Sequence, residues 1–208
     1  MIKKGFTLAE VLITLSIVGV IAAVTLPTFV SNTTKAQIGP KLGKAASMLE
    51  QANMALLDEY NVDSFTDSGL VTVANNAITL ADDYNTRLAN HLKIDPNNNN
   101  ISSDGVQYTF VAGADDYELT EQPHNQRIGI VTIDLDGPLS GPTLPGTDIF
   151  EFSWWNDGSL RPRGARNWRF VPIPDENWQV QCPVGALPLD ARSCAGHIYA
   201  NNMKVLYK

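Results

Sequence analysis

The sequence predicts an α+β fold: one long N-terminal helix, apolar in its first half and amphipathic in its second, packed on a C-terminal antiparallel β-sheet head. Three observations carry this. Between Phe6 and Val30 the only charged residue is Glu10. From Ile38 to Tyr60 apolar residues recur at spacings of three and four, the signature of one helical face. Farther on, β-branched and aromatic runs alternate with clusters of turn residues.

The elements divide the chain into a short basic start (1–5), a membrane-spanning first half-helix (6–30), an amphipathic second half (31–60) and a globular head (61–208). As a helix, residues 6–30 reach roughly 37 Å at about 1.5 Å per residue, enough to cross a bilayer core. Pro27 removes one backbone hydrogen bond and predicts a helix kink. "SNTT" (31–34) supplies N-cap candidates for the second half. There, Ile38, Leu42, Ala45, Leu49, Ala52, Leu56 and Tyr60 share a face, and Gly39-Pro40 predicts an interruption near its start. In the head, "VQYTFVA" (106–112), "RIGIVTID" (127–134), "IFEFSWW" (149–155) and "KVLY" (204–207) read as strands. "DPNNNN" (95–100) and "DGPLSGPTLPG" (136–146) read as loops. Residues 61–100 carry no clear period, although "ITLADDYNTRLANHL" (78–92) is compatible with a short helix.

The 208 residues and 44% hydrophobic content allow one core-bearing domain plus an appendage. The net charge of −7 is uneven: +4 up to Lys44 and −11 thereafter. A basic, apolar start on an acidic body points to a membrane, and away from a chain that binds nucleic acid with its whole surface. The two cysteines, Cys182 and Cys194, read as one disulfide if the head is exported.

Glu10 is the anomaly. An ionised carboxylate among lipid tails costs about 2.5–3.5 kcal/mol and needs a partner. Lys3 and Lys4 are poor ones, because their long side chains reach toward headgroups. Cutting after Gly5 would create a free α-amine at Phe6, and a neighbouring copy shifted along the axis could present it to Glu10. Such a buried polar pair selects one register between subunits. A plain membrane anchor, or a signal peptide cut near "VIAAV", gives Glu10 no purpose.

The stretch "KKGFTLAEVLITLSIVGVIAAVTLPTF" resembles the prepilin signature of type IV pilins and type II secretion pseudopilins. The resemblance implies cleavage between Gly5 and Phe6 by a prepilin peptidase, methylation of the Phe6 amine, and Glu10 as the assembly residue. Pro27 also fits the family, and Ala9 departs from it by standing where a bulkier aliphatic is common. The partners implied are other pilin or pseudopilin subunits and an inner-membrane assembly platform. The location implied is the bacterial inner membrane, crossed once, with the head outside the cytoplasm in a filament. Farther along, "IDLDGPLSGPTLPGTDIFEF", "NDGSLRPRG" and the closing "CAGHIYANNMKVLYK" resemble segments of pseudopilin-like proteins of the type II secretion group.

No cofactor is expected, and calcium is the one ion for which the sequence offers candidate ligands. Asp134, Asp136 and Asp148 could supply oxygens to it, as a loop of this region does in some pseudopilins, but "DLDG" lacks the closing Glu of an EF-hand, and such acids commonly form turns. Arg161, Arg163, Arg166 and Arg169 lie near Trp154, Trp155 and Trp168 in sequence. That combination can bind single-stranded nucleic acid, in the manner of a minor DNA- or surface-binding pilin. Tryptophans in a core and arginines on an acidic body are the plainer account. Enzymatic chemistry, such as that of a tethered exported hydrolase, finds no motif. His91, His124 and His197 lack metal-ligand spacing, Asp82-Asp83 and Asp115-Asp116 read as solvated acids, and no nucleophile elbow or phosphate loop occurs.

Overall fold

The computed structural model describes residues 7–74, 77–113, 127–138, 148–163 and 194–204, with the side chains of 26–34 outside the description. The chain divides into two compact units, Met1–Gln37 and Ile38–Lys208.

Helix α1, Leu8–Tyr60, contributes to both units. Two expectations are corrected along it. The backbone stays helical through "SNTT" and through Gly39-Pro40, so neither a new N-cap nor a break is found. The helix begins at Leu8, so the sterically awkward Pro40 enters a helix already many turns long. Its missing N–H leaves one hydrogen bond unmade without ending the element.

In the second unit the predicted face is the buried one. Ile38, Leu42, Ala45, Leu49, Ala52 and Leu56 are all buried, and Tyr60 packs partly buried at the end. Ala46, Asn53 and Leu57 widen the stripe. After α1 come α2 (Phe65–Ser68), the hairpin β1 (Val71–Ala74) and β2 (Ala77–Leu80), and α3 (Tyr84–Leu92). The segment read as one short helix is therefore split: its first residues pair in β2, and the helix starts at Tyr84. In α3, Tyr84, Leu88 and Leu92 are buried at a spacing of four.

The main sheet is a six-stranded antiparallel meander in chain order. Its strands are β3 (Ile94–Asp95), β4 (Ile101–Ser102), β5 (Gln107–Ala112), β6 (Arg127–Asp134), β7 (Ile149–Trp155) and β8 (Leu160–Pro162). The pairs Val131↔Phe152, Ile133↔Phe150 and Gly129↔Trp154 put one row of side chains on the core face. Tyr108↔Ile133 and Phe110↔Val131 extend that row onto β5. Phe65, Tyr84, Phe110 and Trp154 close the core with edge-on ring contacts 5.1–6.0 Å apart. "DPNNNN" forms the turn between β3 and β4, where Asn99 and Asn100 take the left-handed backbone that asparagine tolerates. A last helix, α4 (Cys194–Ala200), contacts β7, with Tyr199 5.8 Å edge-on to Phe152. Lys204, expected in a strand, is not in one, and residues 205–207 lie outside the description.

Three polar contacts fasten α1 to the sheet. Asn53 Nδ2 donates to the Gly158 carbonyl at 3.0 Å, the Leu160 N–H donates to Glu50 Oε1 at 3.0 Å, and the Tyr108 hydroxyl donates to the Ala45 carbonyl at 3.3 Å. One of them reaches the Asn156–Ser159 turn between β7 and β8, and a second reaches Leu160, the first residue of β8. Asn156 in the same turn accepts from the Thr66 N–H at 3.0 Å and donates to its hydroxyl at 2.9 Å. The Asp-Gly turn thus holds α1 and α2 as well as two strands.

Candidate functional site

The start of α1 is built by four neighbouring residues. The Thr7 N–H donates to Glu10 Oε2 at 2.8 Å, and the Thr7 hydroxyl donates to the same oxygen at 2.9 Å. In return the Glu10 N–H donates to the Thr7 hydroxyl oxygen at 3.3 Å. This is a reciprocal capping box, with Thr7 as N-cap and Glu10 three residues on. The signal "TLAE" stands in the sequence, but it is embedded in an apolar run of membrane-spanning length, which masks it as a helix start. Glu10 therefore has a hydrogen-bonding partner within its own chain.

Beyond Glu10 the run Leu8–Thr25 is long and apolar enough to cross a membrane by length and composition, and none of it is buried within the chain. Leu8, Leu12, Ile13, Leu15, Val18, Val20 and Val24 all face outward. Its hydroxyls are consumed locally. Thr14 donates to the Val11 carbonyl at 2.9 Å, Ser16 to Leu12 at 2.8 Å and Thr25 to Ile21 at 2.9 Å. A hydroxyl satisfied by its own helix lowers the cost of placing it in hydrocarbon. Pro27 lies within α1, while Gly5 and Phe6 lie outside the described residues.

Asp134 Oδ1 accepts from the Gly137 N–H at 2.9 Å and from the Asp136 N–H at 3.3 Å, closing a turn at the end of β6. Burial pushes the Asp134 carboxyl up from its usual range, opposed by the Gly137 N–H. Asp148 meets this turn through its backbone, its carbonyl accepting from Leu135 N–H at 2.8 Å. Among the described residues no group of three His, Cys, Asp or Glu is placed to hold a metal. The Arg161 guanidinium lies 3.8 Å over the Trp155 ring, and Arg163 pairs with Glu151 at 3.2 Å. Both described arginines of the patch are thus engaged within the head, and Trp154 is fully buried. Arg166, Trp168 and Arg169 lie outside the described residues, as does Cys182. Cys194 is buried and is not a free thiol. His91 meets Glu59 at 2.9 Å, and buried His197 contacts Asn201, while His124 lies outside the description.

An exposed apolar helix at the start of an α+β chain fits a membrane-anchored, single-pass protein. Residues 1–26 match the family model described as the prokaryotic N-terminal methylation motif, the leader signature of type IV pilins and pseudopilins. That motif supports a pilin- or pseudopilin-type exported structural subunit, and it implies processing by prepilin peptidase and assembly with other pilin subunits. No curated protein and no solved structure matches the chain.

Proposed function

We propose that this chain is a structural subunit of a type IV pilus or type II secretion pseudopilus. The observation that carries the reading is one acid, Glu10, inside the apolar helix Leu8–Thr25, which lies within the methylation motif at residues 1–26. Prepilin peptidase cuts between Gly5 and Phe6, and the new Phe6 amine is methylated. Lys3 and Lys4 hold the leader on the cytoplasmic side. In the precursor, Thr7 occupies one oxygen of the Glu10 carboxylate. During assembly at the inner-membrane platform, Glu10 pairs with the Phe6 amine of a neighbour, and the apolar faces left bare in the monomer stack in the filament core. The acidic head stays outside, so the subunit's work is mechanical. Asp134, Asp136 and Asp148 serve as turn residues in this reading, and no cofactor takes part.

N-terminal sequencing and mass measurement of the mature protein test it. The expected first residue is methylated Phe6, whereas an intact Met1, or a start near Thr25, defeats the reading. In the exported head Cys182 and Cys194 close a disulfide. Denatured wild-type protein should then show no reactive thiol until reduced, and Cys182→Ser should cost about 2–4 kcal/mol of head stability by urea titration.

A further inference from the structure

The solvent face of α1 within the head unit carries a charge pattern that the fold uses only in part. Lys41, Lys44, Ser47, Gln51, Met54, Asp58 and Glu59 are exposed along one side. Both cations stand toward the start of this stretch and both anions in the last turn, where no basic residue balances them. Acids at a helix C-terminus oppose the helix dipole and weaken the last turn. Nor are the charges spaced as opposite pairs three or four residues apart, which would stabilise the helix. Lys44 and Glu59 find partners off the helix, Asp104 at 3.1 Å and His91 at 2.9 Å. Among the described residues Lys41 and Asp58 have no side-chain partner. One turn before Asp58, Met54 is 51% exposed, an adaptable apolar contact set beside the acids.

We propose that this face is an interface with a second copy of the chain, in parallel orientation and displaced along the helix axis, with Lys41 of one copy against Asp58 of another; that copy is a different neighbour from the one whose Phe6 amine meets Glu10, because Phe6 and Glu10 lie only about one helical turn apart. Seventeen residues separate the two positions, so the displacement is about 25 Å at 1.5 Å per residue. The pattern is self-complementary under that shift, and a shift of this kind repeats without closing, which builds a filament. The inference rests on the assembly reading above but uses residues outside the membrane.

The test is charge reversal in the full chain expressed with its assembly machinery. Filament yield is measured alongside the identity of the mature N-terminus. Lys41→Glu and Asp58→Lys should each lower filament yield about tenfold or more, since like charges then face each other. Both single variants should still begin at Phe6 and reach wild-type levels in the membrane. The double variant Lys41→Glu/Asp58→Lys should restore yield to within about twofold of wild type. Wild-type yield from the single variants overturns the interface and leaves the assembly reading intact, as does a double variant no better than the singles. Failure of the unaltered chain to be cut at Gly5 overturns the assembly reading itself, and this interface with it.

Discussion

At the scale of single residues, Glu10 has two physical roles that one substitution separates. Its carboxylate accepts two hydrogen bonds from Thr7, which neutral oxygens also accept, and it carries a charge, which a neutral oxygen does not. Glu10→Gln keeps an acceptor for the Thr7 N–H and hydroxyl and preserves the helix start. Glu10→Ala removes both roles. If the charge pairs with a neighbour's amine, both variants should lose filament yield alike while still being cut after Gly5. Near wild-type yield from Glu10→Gln alone would reduce the acid to a helix cap. Gly39 makes a second residue-scale case. A Cβ there would lie 1.8 Å from the Met203 carbonyl oxygen, which is backbone and cannot step aside. At Gly43 a Cβ would meet the flexible Met203 Cε at 2.9 Å. Gly39→Ala should therefore cost the head about 1–3 kcal/mol and Gly43→Ala markedly less, by thermal melting in detergent.

At the scale of elements, α4 shows how a short helix is kept. Seven residues do not form a stable helix alone. This one is held by the Gly196 N–H donating to the Arg163 carbonyl at 2.9 Å, by Tyr199 on Phe152, and by buried Cys194 and His197. Burial lowers the His197 pKa, so the folded chain resists a proton that the unfolded chain accepts at the ordinary value of about 6.5. The His197 contribution is complete above that value and is lost as pH falls below it. Melting temperature should drop between pH 7.5 and 5.5, and His197→Gln should flatten that part of the slope. A slope unchanged by the substitution would place the pH sensitivity elsewhere. The same scale decides what could be read in advance. The α1 face was legible because seven apolar positions repeat over six turns, and β6 and β7 because each is a long β-branched or aromatic run that keeps its bounds in the fold. Strands β3, β4 and β8 are two or three residues long, too short for an alternating pattern to register, although each pairs with a strand close by in sequence. The hairpin β1–β2 was hidden because its residues run on into the start of α3. At the site, Glu10 stands out as a charge among apolar residues, whereas Thr7 is one hydroxyl in a run that also holds Thr14, Ser16 and Thr25, and nothing but its spacing to Glu10 sets it apart.

At the scale of the whole molecule, the two units answer to different solvents. Among the described residues every buried hydrophobic residue of the core lies at or beyond Ile38, while Leu8–Thr25 buries nothing within the chain. The first unit then depends on lipid or on other copies to cover its leucines and valines, at roughly 25 cal/mol per Å² of apolar surface removed from water. The second unit carries its own core, its own helix-to-sheet contacts and the acidic charge that favours solubility. Separating them should therefore leave the head folded. A chain beginning at Lys35 keeps the whole buried stripe from Ile38 to Leu57 and every residue that Asn53, Glu50 and Ala45 touch on the sheet. It should remain soluble without detergent and melt cooperatively within about 2–4 °C of the full chain, the shift expected for a change near 1 kcal/mol in a domain of this size. The full chain should stay with membranes through an alkaline wash that strips peripheral proteins. Aggregation of the shortened chain, or a melting temperature far below that range, would mean that the apolar half-helix is part of the head's folding unit, and the division of labour between anchor and head would have to be redrawn.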